Sequence, residues 1–123
     1  MERKASVSDA ELEILEVLWE AEKPLNAAEI RSLLERNKNW ERTTVLTLIQ
    51  RLVKKGMLKQ EKREVYYYQP VVERKAYVKK ETRSFVDRFF KGNAGTMAAA
   101  LMSDDSLTEE DIASLRDFFN SRF

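Results

Sequence analysis

Apolar residues recur every three or four positions along most of the chain, and this spacing predicts a mainly helical protein. Ser8 and Glu11 have the spacing of a capping box and mark the start of a first helix, which Pro24 ends. Asn26 and Glu29 open a second helix in the same way. The apolar stripe of the first helix consists of Leu12, Leu15 and Trp19 with Ile14, Val17 and Leu18 beside them. The buried side of the second helix is expected to carry Ala27, Ile30, Leu33 and Leu34.

A third helix is predicted over residues 41–55, because four apolar side chains fall on one face of it. Lys54 and Lys55 suit the negative end of the helix dipole, and Gly56 is well placed to stop the helix in the left-handed conformation. The face expected to pack inward consists of Val45, Leu48, Ile49 and Leu52.

After Gly56 the hydrophobic pattern changes from helical spacing to alternation. Residues 57–70 are rich in aromatic and β-branched side chains around a charged tip at 61–64, and they predict a two-stranded hairpin that Pro70 closes. Alternate tyrosines of the run at 66–68 are expected to face the core. Three short helices followed by a hairpin with a basic tip form the winged-helix arrangement. We therefore predict a mainly α-helical fold with a small β-hairpin wing.

Composition narrows the possible functions. The 123 residues include no cysteine and no histidine, which removes disulfides, thiolate metal sites, and the commonest metal ligand and general base. We expect no cofactor and no enzymatic activity. The charged start is not followed by an apolar secretory core, and no apolar run approaches the roughly 20 residues that span a bilayer. We expect a cytoplasmic protein without membrane insertion.

The net charge is only +1, but the charges are unevenly distributed. Residues 36–64 hold nine basic and three acidic side chains, whereas residues 1–35 hold four basic and nine acidic ones. A polyanion would meet an attractive stretch in the middle of the chain. A single charge block is more simply a solvated helix face, but this block coincides with the third helix and the hairpin tip, which favours nucleic-acid binding.

The outward face of the third helix carries side chains suited to a DNA major groove. At about 100° per residue, Thr43, Thr47, Gln50 and Lys54 lie opposite the predicted core face. Glutamine can bond adenine, threonine can contact a thymine methyl, and cations can reach phosphate or guanine. An ordinary amphipathic helix with a polar outer side is the alternative interpretation. We expect DNA contacts from Arg42, Thr43, Thr44, Leu46, Thr47, Gln50, Arg51 and Lys54 of the helix and from Lys62, Arg63 and Tyr68 of the wing.

The last third of the chain is predicted to be a helical arm. A long helix covers residues 73–91, a short segment follows at 96–102, and Thr108 with the acidic residues after it caps a final helix. The arm holds more large apolar side chains than one helix of a small domain can cover, and two intertwined copies would bury them. A monomer that folds its arm back is the alternative. The residues expected at the dimer interface are Phe85, Phe89, Phe90, Leu101, Met102, Ile112, Leu115, Phe118 and Phe119.

The chain resembles the penicillinase and methicillin-resistance repressor family, the BlaI/MecI type, over essentially its whole length. The similarity is carried by AELEIL at 10–15 with Trp19, WERTTV at 40–45, TLIQRLVKKG at 47–56 and LTEEDI at 107–112. The resemblance implies a winged-helix DNA-binding domain, 1–72, and a helical dimerisation domain, 73–123. It also implies a transcriptional repressor that occupies a palindromic DNA operator, built on TACA and TGTA half-sites, as a homodimer.

The resemblance further implies a pathway in which a membrane sensor-protease triggers cleavage in the dimerisation arm. Ala100-Leu101 stands where the family has an Asn-Phe cleavage site, so inactivation is expected to differ here. Leu46 stands at a position that is basic in well-known members, so the operator sequence is also expected to differ. Copper sensing through a cysteine cluster, found in some relatives, is excluded because the chain has no cysteine.

Two other functions fit parts of the sequence. A winged-helix adaptor could place the positive stretch against an acidic protein partner without sequence-specific DNA binding. A hydrolase could use Asp104, Asp105, Glu109 and Glu110, but nothing near them in sequence supplies a nucleophile or a metal partner. These carboxylates are more simply explained as a helix cap in solvent.

Overall fold

A computed structural model describes residues 6–36, 38–103 and 107–122, with only the backbone described at residues 115 and 118–122. The chain divides into two compact units, residues 1–77 and 78–123. The functional division predicted between residues 72 and 73 stays a prediction.

Among the described residues, the first unit contains three helices, three strands and the start of a fourth helix. The described residues of the second unit form the rest of that helix and two more. In chain order the elements are α1 (Asp9–Ala21), β1 (Leu25–Asn26), α2 (Ala27–Leu34), α3 (Arg42–Lys54), β2 (Leu58–Lys62), β3 (Tyr66–Pro70), α4 (Arg74–Phe90), α5 (Ala94–Met102) and α6 (Glu109–Arg122).

The predicted capping boxes are confirmed. The Ser8 hydroxyl accepts the backbone N–H of Glu11 at 3.1 Å, and the Glu11 carboxylate accepts the N–H of Ser8 at 2.8 Å. Asn26 and Glu29 make the same reciprocal pair at the start of α2. Each pair satisfies backbone donors that have no partner inside the helix, so the beginnings of both helices are fixed by local sequence.

The core of the first unit forms where the apolar faces of α1, α2 and α3 meet the inner face of the sheet. All four predicted core residues of α3 are buried there, which confirms the predicted face. Trp19 lies at the edge of this core rather than inside it. Its indole N–H donates to the carbonyl of Val72 at 2.9 Å, and its ring lies 5.5 Å from that of Tyr77. The other buried members of the cluster are Ile14, Leu15, Leu18, Leu25, Ile30, Leu34, Leu58 and Tyr68.

In the part of the chain that the structure describes, the sheet has three antiparallel strands in the order β1-β3-β2, one more than the predicted hairpin. The added strand, β1, is two residues long and pairs Leu25 with Tyr68. Gly56 adopts φ +76°, which confirms it as the left-handed stop between α3 and β2. The prediction that alternate tyrosines face the core holds at one position only. Tyr68 is buried, whereas Tyr66, two residues earlier on β3, is 44% exposed.

The two predicted helices of the arm are present as α4 and α6, and α4 begins and ends within one residue of the predicted bounds. The short segment at 96–102 is also helical, as part of α5. The left-handed residues Lys91 and Gly92 end α4, and Arg83 donates to the carbonyl of Gly92 at 3.0 Å. Thr108 and Asp111 form the predicted cap of α6 through reciprocal bonds of 3.0 Å. Within the described residues, no helix is both long enough and apolar enough to cross a membrane.

Candidate nucleic-acid interface

The outer side of α3 presents a polar and cationic stripe to solvent. Thr43, Thr47, Gln50 and Lys54 are all exposed, and so are the neighbouring Arg42, Thr44 and Arg51. Because the opposite side of α3 is buried in the core, the orientation of this stripe on the domain is fixed. The arrangement offers hydrogen-bonding groups and positive charge on one convex surface, as a recognition helix in a major groove requires.

Within that stripe, Thr47 has only part of its side chain available for a contact with DNA. Its hydroxyl donates to the backbone carbonyl of Thr43 at 2.9 Å, one helical turn earlier. The hydroxyl is therefore engaged inside the helix, and the methyl group is the part of Thr47 left for an apolar contact. Such a methyl suits the C5-methyl of a thymine.

Tyr68, which the sequence analysis placed among the DNA contacts, lies in the core with 3% of its surface exposed. The middle strand of the sheet places it there, opposite Leu25 on one side and Gln60 on the other. Burial raises the pKa of its hydroxyl, nearby Tyr66 acts in the same direction, and a side-chain hydrogen bond with Gln50 offsets part of the rise. Tyr68 is thus a core residue that interacts with Gln50, rather than an exposed DNA contact.

A groove between α2 and α3 adjoins the first turn of α3. Leu46 lines it together with Arg42 and is half-buried. Arg31, on the other wall, donates from Nε to the backbone carbonyl of Trp40 at 3.2 Å and lies 3.8 Å from the Glu35 carboxylate. These contacts fix the segment that leads into α3.

The two predicted cations at the wing tip differ in their surroundings. Both Lys62 and Arg63 are exposed. Arg63 Nε lies 3.3 Å from a carboxylate oxygen of Glu61, and the guanidinium carbon lies 4.5 Å from the centre of the Tyr67 ring. Lys62 forms no ion pair within the described part of the chain. Glu61 and Tyr67 were not predicted as functional residues, although a carboxylate two residues from a wing arginine is visible in the sequence.

Lys55 does not belong to the interface, although it follows Lys54 directly. Its ammonium forms an ion pair with Glu11 at 2.5 Å and donates to the carbonyl of Ser6 at 2.8 Å. The Glu11 side chain is 1% exposed. Burial raises the pKa of Glu11, but hydrogen bonds from Lys55 and Ser8 and the charge of Lys55 outweigh burial, so the pKa is lowered from 4.5. Sequence reasoning missed this pair because its members are 44 residues apart.

The second unit exposes several of the residues predicted at the dimer interface. Phe89 is 64% exposed and Met102 is 49% exposed, while Phe85 and Leu101 are each somewhat over 40% exposed. The ring of Phe85 lies 5.0 Å from that of Phe89 and 5.8 Å from that of Phe90. Phe90 and Ile112 are half-buried. The remaining predicted side chains, which lie outside the described set, are Leu115, Phe118 and Phe119.

The acidic residues considered for a hydrolase lie at and before the start of α6. Within residues 6–36, 38–103 and 107–122, no three acidic side chains are grouped so that they could hold a metal ion. Asp104 and Asp105 lie outside the described residues. Glu109 and Glu110 are exposed in the first turn of α6, where carboxylates complement the helix dipole.

Comparison with known proteins agrees with this geometry. The model of the penicillinase repressor family matches residues 7–121. The penicillinase repressor of Bacillus licheniformis is 32% identical over 116 residues, which cover 94% of this chain and 90% of that protein. The methicillin resistance regulatory protein MecI of Staphylococcus aureus is 27% identical over 117 residues, or 94% of each chain.

The fold is also shared with a solved structure. The solution structure of Bacillus licheniformis BlaI, in its monomeric form in complex with the blaP half-operator, superposes with a TM-score of 0.52. The two are 33% identical, and the match covers 63% of this chain and 94% of that one. The capped helices, the three-stranded sheet and the family match over almost the whole length lead to one conclusion: this chain belongs to the penicillinase repressor family.

Proposed function

We propose that this chain is a transcriptional repressor that binds a palindromic DNA operator as a homodimer. The observation that carries the proposal is the exposed stripe of Thr43, Thr47, Gln50 and Lys54 on α3, held by a buried opposite face in a fold shared with a half-operator complex. The stripe would enter the major groove, where Gln50 has the geometry to bond adenine and the Thr47 methyl can contact thymine.

Positioning on the duplex would come from cations around the stripe. Arg42 and Arg51 flank it on α3, and Lys54 is exposed at the C-terminal end of the helix. Lys62 at the wing tip would reach the neighbouring backbone. Such contacts carry no sequence information, but they supply much of the affinity and make it depend on salt. Leu46 and Thr44 complete the proposed contact surface of the helix.

The homodimer rests on two observations. The arm exposes large apolar side chains, and a second copy would cover them. The solved relative was bound as a monomer to a half-operator, so one winged helix suffices for half a site. Two linked copies on a whole palindrome would bind more tightly through their effective concentration.

We also propose a cytoplasmic protein that needs no cofactor and has no catalytic role. Its inactivation through a membrane sensor-protease pathway would have to differ from the family pattern at Ala100-Leu101. That bond lies inside α5, where a protease could cut only after the helix unwinds.

In-vitro selection from a random duplex library at near-physiological salt tests this function. The expected result is a palindromic motif whose half-sites lie about one helical turn apart, or a multiple of it. A folded protein that enriches no motif would contradict the proposal and favour the adaptor that binds an acidic protein.

A further inference from the structure

We propose that Glu61 is a specificity-determining residue of the wing, because it withholds Arg63 from the DNA backbone and leaves Lys62 as the phosphate contact of the wing tip. This inference rests on the DNA binding proposed above. It changes the expectation for Arg63, which the sequence alone places among the DNA contacts.

The register of the hairpin brings the three groups together. Glu61 on β2 is paired directly with Tyr67 on β3, so the two side chains lie next to each other on the face opposite buried Tyr68. The N–H of Arg63 donates to the carbonyl of Val65 at 3.0 Å and closes the tip of the hairpin. The arginine side chain then reaches both members of the pair, with Glu61 at 3.3 Å and the Tyr67 ring at 4.5 Å.

Tyr67 is itself held in place. The side-chain amide of Asn26 donates to the Tyr67 hydroxyl at 3.5 Å, and the Asn26 oxygen accepts the backbone N–H of Glu29 at 2.9 Å as the cap of α2. The ring is therefore attached to the helical core through β1. A fixed aromatic ring beside a carboxylate is a favourable binding site for a guanidinium, because it offers both cation–π attraction and a charge-assisted hydrogen bond.

The pairing of Arg63 with Glu61 affects the part of the DNA affinity that does not depend on the DNA sequence. Each cation that neutralises a phosphate adds to non-specific binding and to its salt dependence. Arg63 paired with Glu61 is electrically neutral as a unit. The Nη donors of Arg63 are outside that hydrogen bond, but a phosphate that bound them would lie beside the Glu61 carboxylate and be repelled by it. Lys62 has no ion pair in the described part of the chain. The wing would therefore add one phosphate contact rather than two, which lowers binding to unrelated DNA.

The test removes charges in matched, charge-neutral pairs from the full-length protein. Glu61→Gln/Arg63→Gln removes the paired charges, and Lys62→Gln/Glu64→Gln removes two exposed wing charges that are not paired in the described structure. Binding to the selected palindrome and to a scrambled duplex is measured by fluorescence anisotropy from about 50 to about 200 mM salt. Urea unfolding confirms that each variant is folded.

We expect the Glu61→Gln/Arg63→Gln protein to keep the affinity and the salt slope of the wild type. The Lys62→Gln/Glu64→Gln protein should lose about one phosphate contact per wing from the slope. Glu61→Gln alone should free Arg63 and tighten binding to the scrambled duplex. From the highest to the lowest salt the gain should grow about threefold per wing, or about tenfold for the two wings of a dimer.

Failure of the inference about Glu61 can be distinguished from failure of the proposed DNA binding. If the wild type binds DNA but the Glu61→Gln/Arg63→Gln protein loses slope as the Lys62→Gln/Glu64→Gln protein does, Arg63 contacts phosphate and the inference is wrong. If the wild type shows no salt-dependent binding to either duplex, the proposed function itself fails.

Discussion

The ammonium of Lys55 lies 2.5 Å from a carboxylate oxygen of Glu11 and joins the C-terminal end of α3 to the first turn of α1. The same carboxylate accepts the N–H of Ser8, so one buried group both caps α1 and holds α3. Lys54, one residue earlier, is exposed at the end of the polar stripe. Two adjacent lysines thus have separate roles, one in the fold and one in the proposed interface.

Replacing Lys55 by methionine should destabilise the protein strongly. The substitution leaves the Glu11 carboxylate buried without its partner, and loss of one member of a buried ion pair costs about 3 kcal/mol or more. Urea unfolding measures the loss in the free energy of unfolding. Lys54→Met is the matched control, and a change within about 0.5 kcal/mol is expected there because Lys54 is exposed. Equal effects of the two substitutions would contradict the structural role of Lys55.

The Glu11 carboxyl should also make stability depend on pH. Its pKa is lower in the folded protein than the ordinary value of 4.5, so the folded state favours the ionised form. The resulting stabilisation is fully present above about pH 4.5 and is lost as the pH falls through the lower, folded value. Urea unfolding at a series of pH values should show the wild type losing more stability below that point than Glu11→Gln. Parallel curves for the two proteins would exclude this contribution.

Tyr68→Phe should alter base discrimination while preserving the fold. The ring still fills its buried position, but the hydroxyl that interacts with Gln50 is removed. A less restrained Gln50 should lose several-fold of its preference at the base pair it contacts, since one good bidentate contact is worth about 1–3 kcal/mol. A panel of operators with single substitutions measures this. Tyr67→Phe is the control. An unchanged base preference in both variants would show that Tyr68 does not act through Gln50.

Phe89→Glu should weaken the dimer without harming half-site binding. Phe89 is the most exposed of the arm residues named above and contacts Phe85, so a charge there would be buried only in a dimer. Sedimentation should show a shift toward monomer, with lower affinity for the palindrome and the same affinity for a half-site. Lys80→Gln, an exposed change on the opposite side of α4 that alters the net charge by the same amount, is the control. A fully dimeric Phe89→Glu protein would place the interface elsewhere.

Sequence was most informative where structure depends on neighbouring residues. The caps at Ser8 and Asn26 and the buried face of α3 follow from spacings of three and four, and all are present. The two-residue strand β1 was missed because Leu25-Asn26 is too short to show alternation, and only pairing with β3 defines it. The burial of Tyr68 likewise depends on that pairing. The contact between Lys55 and Glu11 joins residues that are far apart in the sequence. The contacts of Arg63 depend on the direction of its side chain. Neither can be predicted from the spacing of residues along the chain.

The central claim is that α3 recognises the DNA sequence through Thr47 and Gln50, while the arm forms the dimer that binds two half-sites of a palindrome. Parallel in-vitro selections with the wild type and with Thr47→Ala/Gln50→Ala test it most directly. The account predicts a palindrome for the wild type, and for the variant the same half-site spacing with lost preference at the contacted base pairs. An identical motif from both proteins would contradict the assignment of α3 as the reading element.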